Sequence, residues 1–81
     1  MRANNENKNI TIIFSEEEAL VLLDWLHNFN EEEHPTLFQD QAEQRILWDI
    51  EVVLEKVFSV TFDSNYQDIL SKARRKIRDE E

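Results

Sequence analysis

No residue of this 81-residue chain is glycine. Average usage near 7% would place about five or six in a chain this long, so the backbone lacks the residue that most easily takes left-handed turns and close approaches. Phosphate-cradling loops are excluded with it, because the dinucleotide fingerprint and the P-loop both need glycine where backbone meets phosphate. A single proline leaves little of the turn punctuation of an all-β fold, and helix is favoured.

Eighty-one residues build one domain with a modest core and no deep cleft of enzyme size, which favours a binding module or small subunit over an enzyme. Cysteine is absent, so disulfides, thiolate metal sites and thiol nucleophiles are excluded, and a chain without such staples suits a reducing cytoplasm. The longest apolar run, Ala19 to Leu23, falls far short of the roughly 18 to 20 residues of a membrane span. Met1 to Asn9 is polar and unlike a signal sequence. The reading is a soluble, cytoplasmic protein.

Charge is unevenly placed. Residues 1–71 carry 15 acidic and 4 basic side chains, and residues 72–81 carry 3 and 5. A net charge of −9 repels phosphate backbones and anionic lipid at long range, so nucleic acid and membrane are poor partners and a basic protein a better one. The bland alternative is that the acidity only keeps a small protein soluble.

Met1 to Lys8 is polar and aperiodic and is expected to be a disordered leader, with 9–81 a single helical domain. Asn9 to Phe14 (NITIIF) is β-branched and apolar, and predicts an extended segment. Ser15 with Glu18 three residues on forms a capping box for a first helix over 16–29. Its face of Ala19, Leu22, Leu23, Leu26 and Phe29, widened by Leu20 and Val21 with Trp25 at the edge, predicts contact on more than one side. Asn28 and Asn30 are expected to give the left-handed stop that glycine usually provides.

A second helix over 40–58 starts at Asp40, with Glu43 completing another capping box. That accounts for a carboxylate lying within the stripe of Ala42, Ile46, Leu47, Ile50, Val53, Leu54, Val57 and Phe58. Residues 59–62 read as extended. Two antiparallel helices would set them beside 10–14, which allows a small two-stranded ribbon. Asp63 or Ser64 caps a third helix over 64–78, with a narrow stripe of Tyr66, Ile69, Leu70, Ala73 and Ile77. The fold class is therefore mainly α, a three-helix domain with a possible ribbon.

Opposite the second helix's stripe lie Gln41, Gln44, Arg45, Trp48, Asp49, Val52 and Glu55. Interface centres favour Trp and Arg over Lys and Glu, so Trp48, Gln44, Arg45 and Val52 form the candidate contact centre, with Glu51, Glu55 and Glu31 to Glu33 steering association. The competing reading covers Trp48 with the 31–39 loop, the third helix or the leader. His27, His34 and the 31–33 glutamates offer metal-binding chemistry without metal-binding spacing, so no metal or cofactor is called for. No serine lies in a nucleophile-elbow turn, and no catalytic residue is assigned. The run Lys72, Arg74, Arg75, Lys76 and Arg78 reads first as cations complementing a helix end and pairing with the chain's own acid, and only second as a nucleic-acid contact.

The segment FQDQAEQRILWDIE, with SEEEALVLLDWL upstream, resembles a pattern in short uncharacterised bacterial proteins and covers most of residues 10–78. The resemblance implies a compact helical domain and carries no activity, cofactor or site. The functional expectation is an immunity-, antitoxin- or regulator-like module that binds a basic protein, by one route through imitation of a nucleic acid. The alternative is a homodimeric structural domain with Trp48 near its two-fold axis and no ligand.

Overall fold

The computed structural model describes residues 1–58 and 65–79. Its first element is a hairpin. Strand β1 (Arg2–Glu6) pairs antiparallel with β2 (Asn9–Ile13), in a register running from Arg2 opposite Ile13 to Glu6 opposite Asn9. Asn7 and Lys8 close the turn with φ of 50° and 70°, the left-handed pair that a two-residue hairpin turn requires. This corrects the disordered leader. A polar strand (RANNE) can pair through its backbone alone, and the β-branched run of β2 gives it a template. The ribbon therefore exists with residues 2–6 as the partner strand, and the expected partner 59–62 lies outside the described residues. All ten strand residues are exposed. The chain's start is tied to the first helix by the Met1 ammonium, 3.2 Å from a Glu18 carboxylate oxygen.

Helix α1 (Glu16–Asn30) begins as its sequence predicts. Ser15 Oγ accepts from the Glu18 N–H at 3.1 Å, and a Glu18 carboxylate oxygen accepts from the Ser15 N–H at 2.8 Å. Its end differs from expectation, because Glu31 caps it in the ordinary right-handed region and neither Asn28 nor Asn30 turns left-handed. Asn30 has another use: its side-chain amide donates to Glu51 at 2.8 Å and to the Leu47 carbonyl at 3.4 Å.

Helix α2 (Gln41–Val57) starts at Asp40, whose carboxylate accepts from the Ala42 N–H at 3.1 Å. Glu43 reaches back one residue beyond the cap, accepting from the Gln39 N–H at 2.9 Å, and it is exposed. Its role is capping, by a looser version of the box. Helix α3 (Tyr66–Asp79) buries Leu70 and Ala73, while its expected caps Asp63 and Ser64 lie outside the described residues.

The breadth of apolar positions on α1 now has its cause. On one side Ala19, Leu23 and Leu26 meet Leu54 of α2, with Phe14, Leu47 and Ile50 around them. On another Leu20 meets Leu70 and Ala73 of α3. Phe58 borders both clusters. Among the described residues, α2 and α3 each pack on α1 and not on each other.

Because α2 has one helical neighbour, it buries a narrow arc. Leu47, Ile50, Leu54 and Phe58 face inward, while Ala42, Ile46, Val53 and Val57, expected in the core stripe, are exposed. Among the described residues no helix is long and apolar enough to cross a membrane.

Candidate protein interface on the second helix

A helix that buries one arc leaves two flanks, and α2 loads both with unusual residues. On one flank Trp48 and Val52, one turn apart, keep 44% and 48% of their surface in solvent. The 31–40 loop is occupied elsewhere. His34 stacks on Phe29 with ring centroids 3.8 Å apart and its Nε2 lies 2.7 Å from the Phe29 carbonyl, while Phe38 meets Phe29 edge-on. Trp25 stacks on the same Phe29 at 4.8 Å, so the loop is anchored to the end of α1.

The remaining predicted contact residues sit differently. Gln44 is half-buried and lines a hollow with His34, Pro35 and Phe38 of the loop. Arg45 is exposed and reaches Asp49 at 3.6 Å, a one-turn pair that holds it weakly. Glu55 is exposed but belongs to the seam between α1 and α2. A hydrogen bond with Glu51, aided by burial and by the Glu51 charge, raises its carboxyl above the usual range. Trp48 and Val52 are thus the solvent-facing pair, with Arg45 behind them and Glu55 turned to the seam.

Sequence reasoning missed the other flank. Ile46, Val53 and Val57 are exposed, Val53 by 59%, and Ile46 and Val53 with Ile12 of the hairpin border a shallow apolar groove above Ile50 and Leu54. Five of the large apolar side chains left in solvent belong to this one helix: Ile46, Trp48, Val52, Val53 and Val57. Periodicity assigned three of them to the core, because a hydrophobic stripe reports a face and not how many neighbours cover it. The accessible surface, 6967 Å², also exceeds the roughly 5200 Å² expected of a compact monomer of 9.8 kDa.

The seam gathers donors that sequence spacing kept apart. His27 Nδ1 lies 3.0 Å from Glu51 Oε2, and His27 Nε2 lies 3.1 Å from Glu31 Oε1. The hydrogen bond to Glu51 raises the His27 pKa above its usual value, against the opposing effect of burial and with help from the charges of Glu31, Glu51 and Glu55. Burial works to raise Glu51, but donation from Asn30 and His27 and its contact with Glu55 outweigh that and hold it low. His27, Glu51 and Glu55 each offer a donor atom within 4.8 Å of the others. The legible signal was two one-turn pairs, His27/Glu31 and Glu51/Glu55, on helices already expected to pack together. His34 takes no part, since its ring is stacked on Phe29.

Three of the five C-terminal cations pair with the chain's own acid. Arg74 reaches Asp24 at 3.0 Å, Lys76 reaches Glu17 at 2.7 Å and Lys72 reaches Asp68 at 3.1 Å. Comparison with family models, with curated proteins and with solved structures finds no match for this chain.

Proposed function

We propose that this chain is a small protein-binding module, of the immunity-, antitoxin- or regulator-like kind, that receives a basic partner on α2. The observation that carries the reading is the exposed pair Trp48 and Val52 beside the acidic seam of Glu31, Glu51 and Glu55. An indole left half in solvent is a favoured anchor for a partner, and carboxylates around it steer a cationic surface into place. Such an acidic surface can also stand in for a phosphate backbone and occupy a nucleic-acid-binding protein. A cysteine-free chain suits a reducing compartment, and we assign it to the cytoplasm.

The test is affinity capture from lysate with wild type and Trp48→Ala side by side. A partner should be held by wild type, released as salt rises, and lost from the variant. Equal retention by both overturns the proposal.

A second reading is the homodimer without a ligand, expected with Trp48 near its two-fold axis, and the other flank offers such a pairing a different face. Ile46, Ile50, Val53 and Val57 recur at alternating spacings of four and three, with Asp49 and Lys56 along the outer border. An antiparallel pairing of two copies of α2 would set Asp49 of each against Lys56 of the other. Sedimentation at several concentrations separates the readings, since a strictly monomeric protein removes the dimer.

A further inference from the structure

We propose that His27, Glu51 and Glu55 form a binding site for a divalent transition-metal ion of the zinc type, spanning α1 and α2 with one position open to water. The geometry carries it. Glu51 and Glu55 stand one turn apart on α2, and His27 faces them from α1, so the three donors converge from two helices held in place by the Leu26 and Leu54 core. Tetrahedral ligands at 2.0 to 2.2 Å from an ion lie about 3.4 Å apart, so the widest separation here, 4.8 Å, needs to close by about 1.4 Å. Rotamer adjustment of exposed Glu55 and His27 supplies that.

The cluster is more than a patch of acid, because two of its ligands are already aimed from behind. A metal-binding imidazole uses one nitrogen for the ion and donates its other N–H to a carboxylate or carbonyl, which fixes the ring's tautomer and direction. His27 has that arrangement: Nδ1 is turned to Glu51 and Nε2 to Glu31 at 3.1 Å. Glu51 is held likewise, with Asn30 donating to Oε1 at 2.8 Å while Oε2 faces His27. An ion would take the place of the direct 3.0 Å contact between Glu51 Oε2 and His27 Nδ1, with Oε1 still held by Asn30.

One imidazole with two carboxylates selects among ions. Calcium and magnesium prefer sets made wholly of oxygen, whereas a nitrogen donor favours zinc and its neighbours in the first transition row. With no cysteine in the chain, affinity rests on this nitrogen and these oxygens.

The experiment is calorimetric titration of tag-free, chelator-treated full-length protein with zinc chloride alone, paired with thermal melts. One ion per chain should bind at micromolar concentration, and the melting temperature should rise because the unfolded chain lacks the site. His27→Ala should weaken binding at least tenfold. Glu55→Gln, at an exposed position that keeps the fold, should do the same. Asn30→Ala, which removes the orienting donor, should weaken binding by roughly tenfold, while His34→Ala should leave it unchanged. Absence of binding at millimolar zinc, retention of full affinity by His27→Ala or Glu55→Gln, or an equal response to calcium chloride would each overturn the proposal.

Discussion

The two seams of α1 are closed in opposite ways. Toward α3 they are closed by complementary groups: Tyr66 donates to Asp24 at 2.8 Å, Arg74 pairs with the same carboxylate, and Lys76 pairs with Glu17, over a core in which Leu70 is 1% exposed. Toward α2 they are closed by carboxylates gathered round one histidine, over a core that takes a single buried residue from α2, Leu54. On the first side these charged groups are paired within the chain, beside an apolar pocket lined by Leu20, Phe58, Ile69 and Ala73. The other has donors and apolar surface left over, and that is where a partner or an ion is to be sought.

Substitutions can sharpen or break this contrast. The largest effect is expected from Leu70→Ala, which should cost about 2 to 5 kcal/mol in denaturant unfolding, because it empties the best-buried site of the side toward α3. A loss below 1 kcal/mol would mean that α3 is not the structural strap described.

Tyr66→Phe should cost about 1 to 2 kcal/mol by removing a hydrogen bond to a charged acceptor. Burial, with the hydrogen bond and charge of Asp24, pushes the Tyr66 phenol up to about 12. A pKa raised in the folded state stabilises fully below the unfolded value near 10, and that contribution is lost as pH climbs from about 10 to 12. Tyr66 is the chain's one tyrosine. Absorbance at about 295 nm therefore titrates it alone, and a midpoint near 10 would contradict a phenol bound to Asp24.

Arg74→Ala should cost under about 1 kcal/mol, with the difference shrinking in high salt, since the Arg74 side of the pair is exposed. Smallest is the effect of Val52→Ala and Trp48→Ala on the open side. Each is expected to change stability by roughly 0.5 kcal/mol or less while removing partner capture. Should Trp48→Ala cost 3 kcal/mol, the indole would be core, and the contrast between the two sides would fail.

Much of the helical frame was readable because it is written locally. Ser15 and Glu18 stand three apart, Asp40 precedes its helix, and Tyr66, Leu70, Ala73 and Ile77 keep helical spacing, so each signal needs only its own segment. What escaped depends on other segments. Strand β1 has no apolar rhythm, and its turn places Asn7 and Lys8 where glycine is the usual occupant. The exposure of Ile46, Val53 and Val57 follows from α3 lying on α1 and not on α2. Asn30 looked like a stop signal but serves as a side-chain donor across the seam. His27, Glu51 and Glu55 are neighbours only once the helices are packed. The expected patch was divided in the same way, with Trp48 and Val52 left outward and Glu55 turned toward α1.

Since α2 and α3 share no boundary among the described residues, α1 is the spine of an open book with two leaves. The leaves differ in how firmly they are bound to it. The least costly partial opening is then a swing of α2, which would uncover Leu23, Leu26 and Leu54 and withdraw only Phe58 from the cluster of Leu20, Leu70 and Ala73. In hydrogen exchange the amides of α2 would open before those of α3, and whatever clasps α2 would slow that opening without needing to touch the other leaf.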